Sequence, residues 1–129
     1  MIYNVSMRVY VAHSTSIDYE NEIYKPLRND SFCLEHELIL PHENSVSISN
    51  LREDYKNYDI VIAECSKPSI GVGIELGWLY DEKKPIYCFC REEIEPSSAL
   101  KAVAKKIIKY KDGQDFVNKV KEIIEESKG

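Results

Sequence analysis

The chain has 129 residues, of which 30% are charged and 43% hydrophobic, and its formal net charge is -5. That length fits a single domain spanning residues 1–129 with one core, and the acidic balance argues against nucleic acid or an anionic membrane as partner. No apolar run approaches the roughly 18 residues of a membrane span and no signal-peptide pattern opens the chain, so a cytoplasmic location is expected.

In chain order, residues 7–12 form a short β-rich run and are predicted as a central strand. Ser16 and Asp18 are candidate caps for a helix reaching about Asn29, with Ile17, Ile23, Tyr24 and Leu27 as its apolar stripe. Residues 37–41 read as a second strand, 42–49 as a polar loop, and about 48–56 as a weak helix. Residues 59–65 are the third strand. A helix is predicted over about 73–82, a fourth strand over 85–90, and a helix capped by Ser97 or Ser98 running to about Lys106. Residues 107–110 make an edge strand, and 114–126 a closing amphipathic helix. Strands alternating with helices imply an α/β fold: a doubly wound, five-stranded parallel sheet with helices on both faces.

Cys33, Cys65, Cys88 and Cys90 show no CxxC and no Cys/His pair at zinc spacing, so buried reduced thiols are expected and no metal is implied. His13 precedes Ser14 at the first strand end, but the sequence places no third partner that would make a catalytic pair. His36 and His42 read as surface residues. Trp78 and Tyr80 read as core or subunit contacts.

The most informative stretch is 59–77, Asp-Ile-Val-Ile-Ala-Glu-Cys-Ser-Lys-Pro-Ser-Ile-Gly-Val-Gly-Ile-Glu-Leu-Gly. It reads as a buried strand, a tight loop carrying Ser69, Gly71 and Gly73, and the first turn of a helix bearing Glu75. Ligands of open α/β sheets bind at the carboxyl ends of the strands. A glycine-rich turn lets backbone N–H groups approach a ligand, and a first-turn carboxylate is held ionised by the helix dipole. The spacing does not match GxGxxG, and there is no GK[ST]. Asp59 is expected to finish structure at the far end of its strand. Glu64 either binds loop amides or faces the site.

This stretch resembles the signature of the nucleoside 2-deoxyribosyltransferase family, closest to its 2′-deoxynucleoside 5′-phosphate N-hydrolase branch. Residues 9–12 and 84–86 resemble the same family, and the likeness runs from about residue 7 to 110. It implies a flavodoxin-like fold, a small-molecule deoxynucleoside or deoxynucleotide substrate, no cofactor, and a homodimer or higher homo-oligomer whose neighbouring subunit completes the site. By matching position, Glu75 is the family's nucleophile and Tyr10 the first-strand tyrosine beside it. Ser14, Ser69 and Gly71 hold the 5′ end of the substrate, and Ser98 comes from the neighbouring subunit.

The chemistry suits these residue types. A 2-deoxyribosyl centre lacks the electron-withdrawing 2′-hydroxyl, so a single carboxylate can stabilise its oxocarbenium character and form a glycosyl ester. Water or a second base then takes the sugar. Two positions depart from the family. Ser16 stands where the phosphate-specific branch has an arginine, which weakens a phosphate pocket and favours a free nucleoside. Leu51 stands where the family has an aspartate near the leaving base, with Asn50 and Asp54 as neighbouring candidates. Base protonation is then left open among Asp54, Glu43 and His42. Also open are a non-catalytic nucleotide-binding or signalling module on the same fold, and an N-glycosidase for a ribonucleotide or dinucleotide.

Overall fold

The computed structural model describes residues 6–43 and 53–128. β1 is Arg8–His13, β2 Glu37–Ile39, β3 Ile60–Glu64, β4 Ile86–Arg91 and β5 Lys106–Tyr110. They form one sheet in the order β2-β1-β3-β4-β5, and every neighbouring pair is parallel. This is the strand order of the flavodoxin-like doubly wound sheet, whose switch point lies between β1 and β3. α1 is Lys25–Arg28, preceded by a π-helical turn Glu20–Tyr24; α2 is Ile70–Asp81; α3 is Gly113–Lys128. Among the described residues no helix is long and apolar enough to cross a membrane.

Strand alternation sorts the core into two layers. Val9, Val11, Ile60, Ile62, Tyr87 and Phe89 face one side, where they meet Leu27 of α1 and Phe116, Val120 and Ile124 of α3. Tyr10, Ala12, Val61, Ala63, Ile86 and Cys88 face the other side, where Leu76 and Leu79 of α2 pack. Burial on both faces accounts for the near-continuous apolar runs of the central strands. Tyr10 therefore projects toward α2.

The element α2 starts earlier than its sequence indicates. Ser69 is extended (φ -146°, ψ 121°) and its Oγ accepts the Val72 N–H at 3.3 Å. That cap begins the helix at Ile70 rather than at Gly73. Gly71 and Gly73 are thus helical, and no described glycine has positive φ. Their helical cost of about 1 kcal/mol each is outweighed by the cap and by the buried stripe of Val72, Leu76 and Leu79. Glu75 consequently lies in the second turn, not the first, and no acidic residue occupies the first turn.

Four further expectations change. The helix predicted to reach Lys106 is only a 3-10 segment, Ser98–Ala102, capped by Ser97, whose Oγ accepts the Ala99 N–H. β5 claims Lys106 for the sheet, where it pairs with Tyr87. The helix expected before Asn29 is π-helical at its start, and Asp18 reaches the Asn21 N–H only at 3.5 Å. His36 is buried rather than superficial; its Nδ1 accepts the Met7 N–H at 3.0 Å. Of the weak helix near 48–56, the described part contains the 3-10 turn Tyr55–Asn57; its beginning, with Asn50 and Leu51, lies outside the described residues.

Candidate active site

The site is built on the α2 side of β1. Glu75 is half-buried, and its Oε1 accepts the Tyr10 hydroxyl at 2.6 Å and the Tyr55 hydroxyl at 3.2 Å. Tyr10 is completely buried in β1, its ring stacked on Tyr58 at 4.9 Å between centroids and edge-on to Tyr55 at 5.8 Å. Burial pushes the Glu75 carboxyl above the usual glutamate range; hydrogen bonds from Tyr10 and Tyr55 and the nearby His42 draw it back part of the way. The helix dipole expected to hold Glu75 ionised does not reach it, since the effect fades beyond the first turn. The two phenols favour the ionised form in its place, without outweighing burial. Burial, and then the Glu75 charge, raises both the Tyr10 and the Tyr55 hydroxyls well above the usual tyrosine value, so both remain protonated donors.

The loop between β3 and α2 is fixed from below. Glu64 is buried and accepts the Ser66 N–H at 2.6 Å, the Ser66 hydroxyl at 2.9 Å and the Tyr110 hydroxyl. The Ser66 Oγ in turn accepts the Arg91 N–H at 2.9 Å. Glu64 thus binds loop groups, one of the two roles open to it in sequence, and ties the loop to β4 and β5. At the opposite end of β3, Asp59 accepts the Arg8 N–H at 2.8 Å and takes no part in the site.

Ser14 follows β1; its Oγ accepts the Ser16 N–H at 3.1 Å and shares a hydrogen bond with the Ser16 hydroxyl at 2.7 Å. His13 ignores the Ser14 hydroxyl. Its Nδ1–H donates to the Ser14 carbonyl at 3.0 Å, and its Nε2 accepts the Tyr24 hydroxyl at 2.7 Å. The Tyr24 oxygen accepts the His42 N–H at 3.0 Å. Burial lowers the His13 pKa, so the ring stays neutral in that tautomer.

The sequence-derived residues separate into groups. Tyr10 and Glu75 are brought together. Ser69 caps α2, where its hydroxyl proton remains available to a ligand, and first-turn N–H groups beside it lack intrahelical acceptors. Gly71 is exposed in that turn, with only the Ser69 Oγ, at 3.9 Å, near the space a Cβ would take. Gly73 is exposed one turn on and lines no loop. Ser98 is exposed on its 3-10 segment. Asp54 is half-buried beside the tyrosines, where its charge helps to raise Tyr58 to about 12 after burial itself. Glu43 is occupied by Arg28, with contacts of 2.5 and 3.0 Å, and the bond holds its carboxyl below the usual range, which suits it poorly to donate a proton.

Tyr55 is the residue the sequence did not indicate. Its spacing, four residues before Asp59 on a segment without periodicity, carries no site signal; only packing against Tyr10 reveals it. Among the described residues no His, Cys, Asp and Glu cluster could hold a metal ion. All four cysteines are free thiols.

No family model matches the sequence, and no curated protein matches it. Solved structures do. The CMP N-glycosidase BcmB from Clostridium botulinum superposes with a TM-score of 0.64 at 21% identity, covering 88% of this chain and 97% of that one. A conserved protein from Enterococcus faecalis superposes with a TM-score of 0.65 at 15% identity, covering 92% of this chain and 99% of that one. At such identities the likeness is one of fold.

Proposed function

We propose that this protein cleaves the N-glycosidic bond of 2′-deoxynucleosides or their 5′-monophosphates, with Glu75 as nucleophile. The observation that carries the reading is the Glu75 carboxylate clamped by two tyrosine hydroxyls near the switch point of the sheet. A glutamate pushed above its ordinary pKa is a better base, and the phenols keep its anionic form oriented. The fold likeness to a CMP N-glycosidase supports the same bond as target.

The reaction runs in two displacements. A Glu75 oxygen forms a bond to C1′ while the C1′–N bond breaks, and its electron pair leaves with the base, which takes up a proton. Water, or a second free base, then forms its own bond to C1′; the ester C–O bond breaks and its electron pair returns to Glu75. The proton of the water, or the N–H proton of the incoming base, passes to solvent. Ser69, Gly71 and Ser14 receive the 5′ end of the substrate. No cofactor enters this scheme.

The oligomeric part of the reading rests on the outer face of α2. Ile70 is 86% exposed, Ile74 49% and Tyr80 55%; with Gly73 and Gly77 they form one helical stripe. A second copy of the chain covering that stripe borders Ser69 and brings Ser98 to the neighbouring site.

A ribonucleotide is the second reading, favoured by the fold likeness to a protein acting on CMP. The test is chromatographic base release from deoxynucleosides, their 5′-monophosphates and CMP, with and without a second base. Release from deoxy substrates supports the proposal, and dependence on the second base makes it a transferase. Release from CMP alone transfers the reading to ribonucleotides. Binding without release from any of them favours a non-catalytic module.

A further inference from the structure

We infer that Tyr55 is a positioning residue that, with Tyr10, anchors one oxygen of Glu75 and leaves the other, Oε2, to attack C1′. This rests on the nucleophile reading above. Both hydroxyls converge on Oε1, at 2.6 and 3.2 Å, and neither engages Oε2. A carboxylate oxygen presents two lone pairs. Two donors occupy both, so the anchored oxygen has no lone pair directed at a sugar and the reactive one is fixed by elimination within the carboxylate.

Packing rather than hydrogen bonding aims Tyr55. Its side chain is completely buried. Its ring stands edge-on to Tyr10 at 62°, 6.0 Å from Tyr58 and 6.2 Å from Trp78. The Tyr58 N–H closes the 3-10 turn onto the Tyr55 carbonyl at 3.3 Å. The hydroxyl is thereby delivered to Glu75 from a segment separate from β1. Among the described residues, the groups that act on Glu75 are Tyr10 from β1, Tyr55 from the turn before β3, and His42 from the segment after β2. Among the described residues Tyr10 and Tyr55 are the two that donate to it, so removing either changes the protonation of the carboxylate as well as its orientation.

The test is Tyr55→Phe in the full chain, read in two ways. In protein carrying ¹³C-carboxyl glutamate, the Glu75 signal, assigned by its loss in Glu75→Gln, is titrated by NMR. Its midpoint is expected to rise in Tyr55→Phe and stay at the wild-type value in Tyr58→Phe. In base release, kcat is expected to fall about tenfold, the loss of one hydrogen bond to a charged group, with KM nearly constant and the acid limb of the pH profile displaced upward. A second variant, with Tyr55 replaced by a ring-fluorinated tyrosine, keeps the ring and strengthens the donor; its Glu75 midpoint is expected to fall. An unchanged midpoint in both Tyr55 variants overturns the inference. The titration needs no turnover. If the wild type releases no base, the nucleophile reading fails while the clamp is still judged by NMR.

Discussion

At the scale of single residues the decisive feature is a conflict. Glu75 is a partly buried carboxylate in apolar and aromatic surroundings, and burial outweighs the phenol donors that favour its charged form. Its folded pKa therefore lies above its unfolded value of about 4.3. The sign follows from linkage. A raised acid contributes stability that is complete below the unfolded value and is lost as pH rises through the folded one, so at neutral pH the ionised Glu75 costs stability. Glu75→Gln is expected to raise the melting temperature by a few degrees at pH 7. That gain is expected to shrink toward zero below about pH 4, as thermal melts across the pH range will show. A melting difference independent of pH would mean that the carboxylate's charge is not what burial penalises. The same variant is expected to lose base release by a factor of about a thousand or more. That Glu75 and Tyr10 meet was legible in the sequence through resemblance to a family pattern. Tyr55 was not, because a tyrosine in an aperiodic segment is indistinguishable from core until its partners are placed.

At the scale of elements, α2 holds both the clearest success and the clearest failure of sequence reading. The strand–loop–helix order of 59–77 is correct. The glycines misplaced the helix start by three residues, because Gly71 and Gly73 read as turn formers while Ser69 was already the cap. The other end of α2 carries no glycine where one would be expected. Lys83 is left-handed, with φ 60°. Its N–H bonds to the Tyr80 carbonyl at 2.9 Å, and the Lys84 N–H to the Leu79 carbonyl at 3.0 Å, the pattern of a Schellman end. A lysine in that conformation costs about 1–2 kcal/mol, part of which glycine gives back through the entropy of the unfolded chain. Lys83→Gly is expected to stabilise by about 0.5–1 kcal/mol in urea unfolding. Base release should stay at the wild-type rate, since the residue lies at the end of α2 remote from Ser69. The exposed stripe of α2 sets a second expectation. Ile74→Glu places a charge on the proposed subunit contact and is expected to shift the protein toward monomer in analytical ultracentrifugation. Unaltered sedimentation in Ile74→Glu would place the contact elsewhere.

At the scale of the molecule, the doubly wound sheet was readable because fully buried strands leave continuous apolar runs, such as 60–63, while α3 declares itself by its one-sided periodicity. The short elements were not, since three to five residues of 3-10 or π-helix hold too few side chains to establish a period. This architecture gives Glu75 its setting. β1 supplies Tyr10 from the sheet, α2 supplies Glu75 from above, the turn before β3 supplies Tyr55, and the Glu64–Ser66–Tyr110 network anchors the loop that carries Ser69. In the proposed reaction Glu75 forms a bond to the sugar. That step is tested most directly with a 2′-fluoro-2′-deoxynucleoside 5′-monophosphate, whose fluorine destabilises positive charge at C1′ and slows ester breakdown. After incubation and acid quench, peptide mapping by mass spectrometry is expected to find the fluorodeoxyribosyl phosphate on the peptide containing Glu75, and none in Glu75→Gln. Release of base from the unfluorinated nucleotide at undiminished rate by Glu75→Gln, with the label on another residue or on none, would contradict the account.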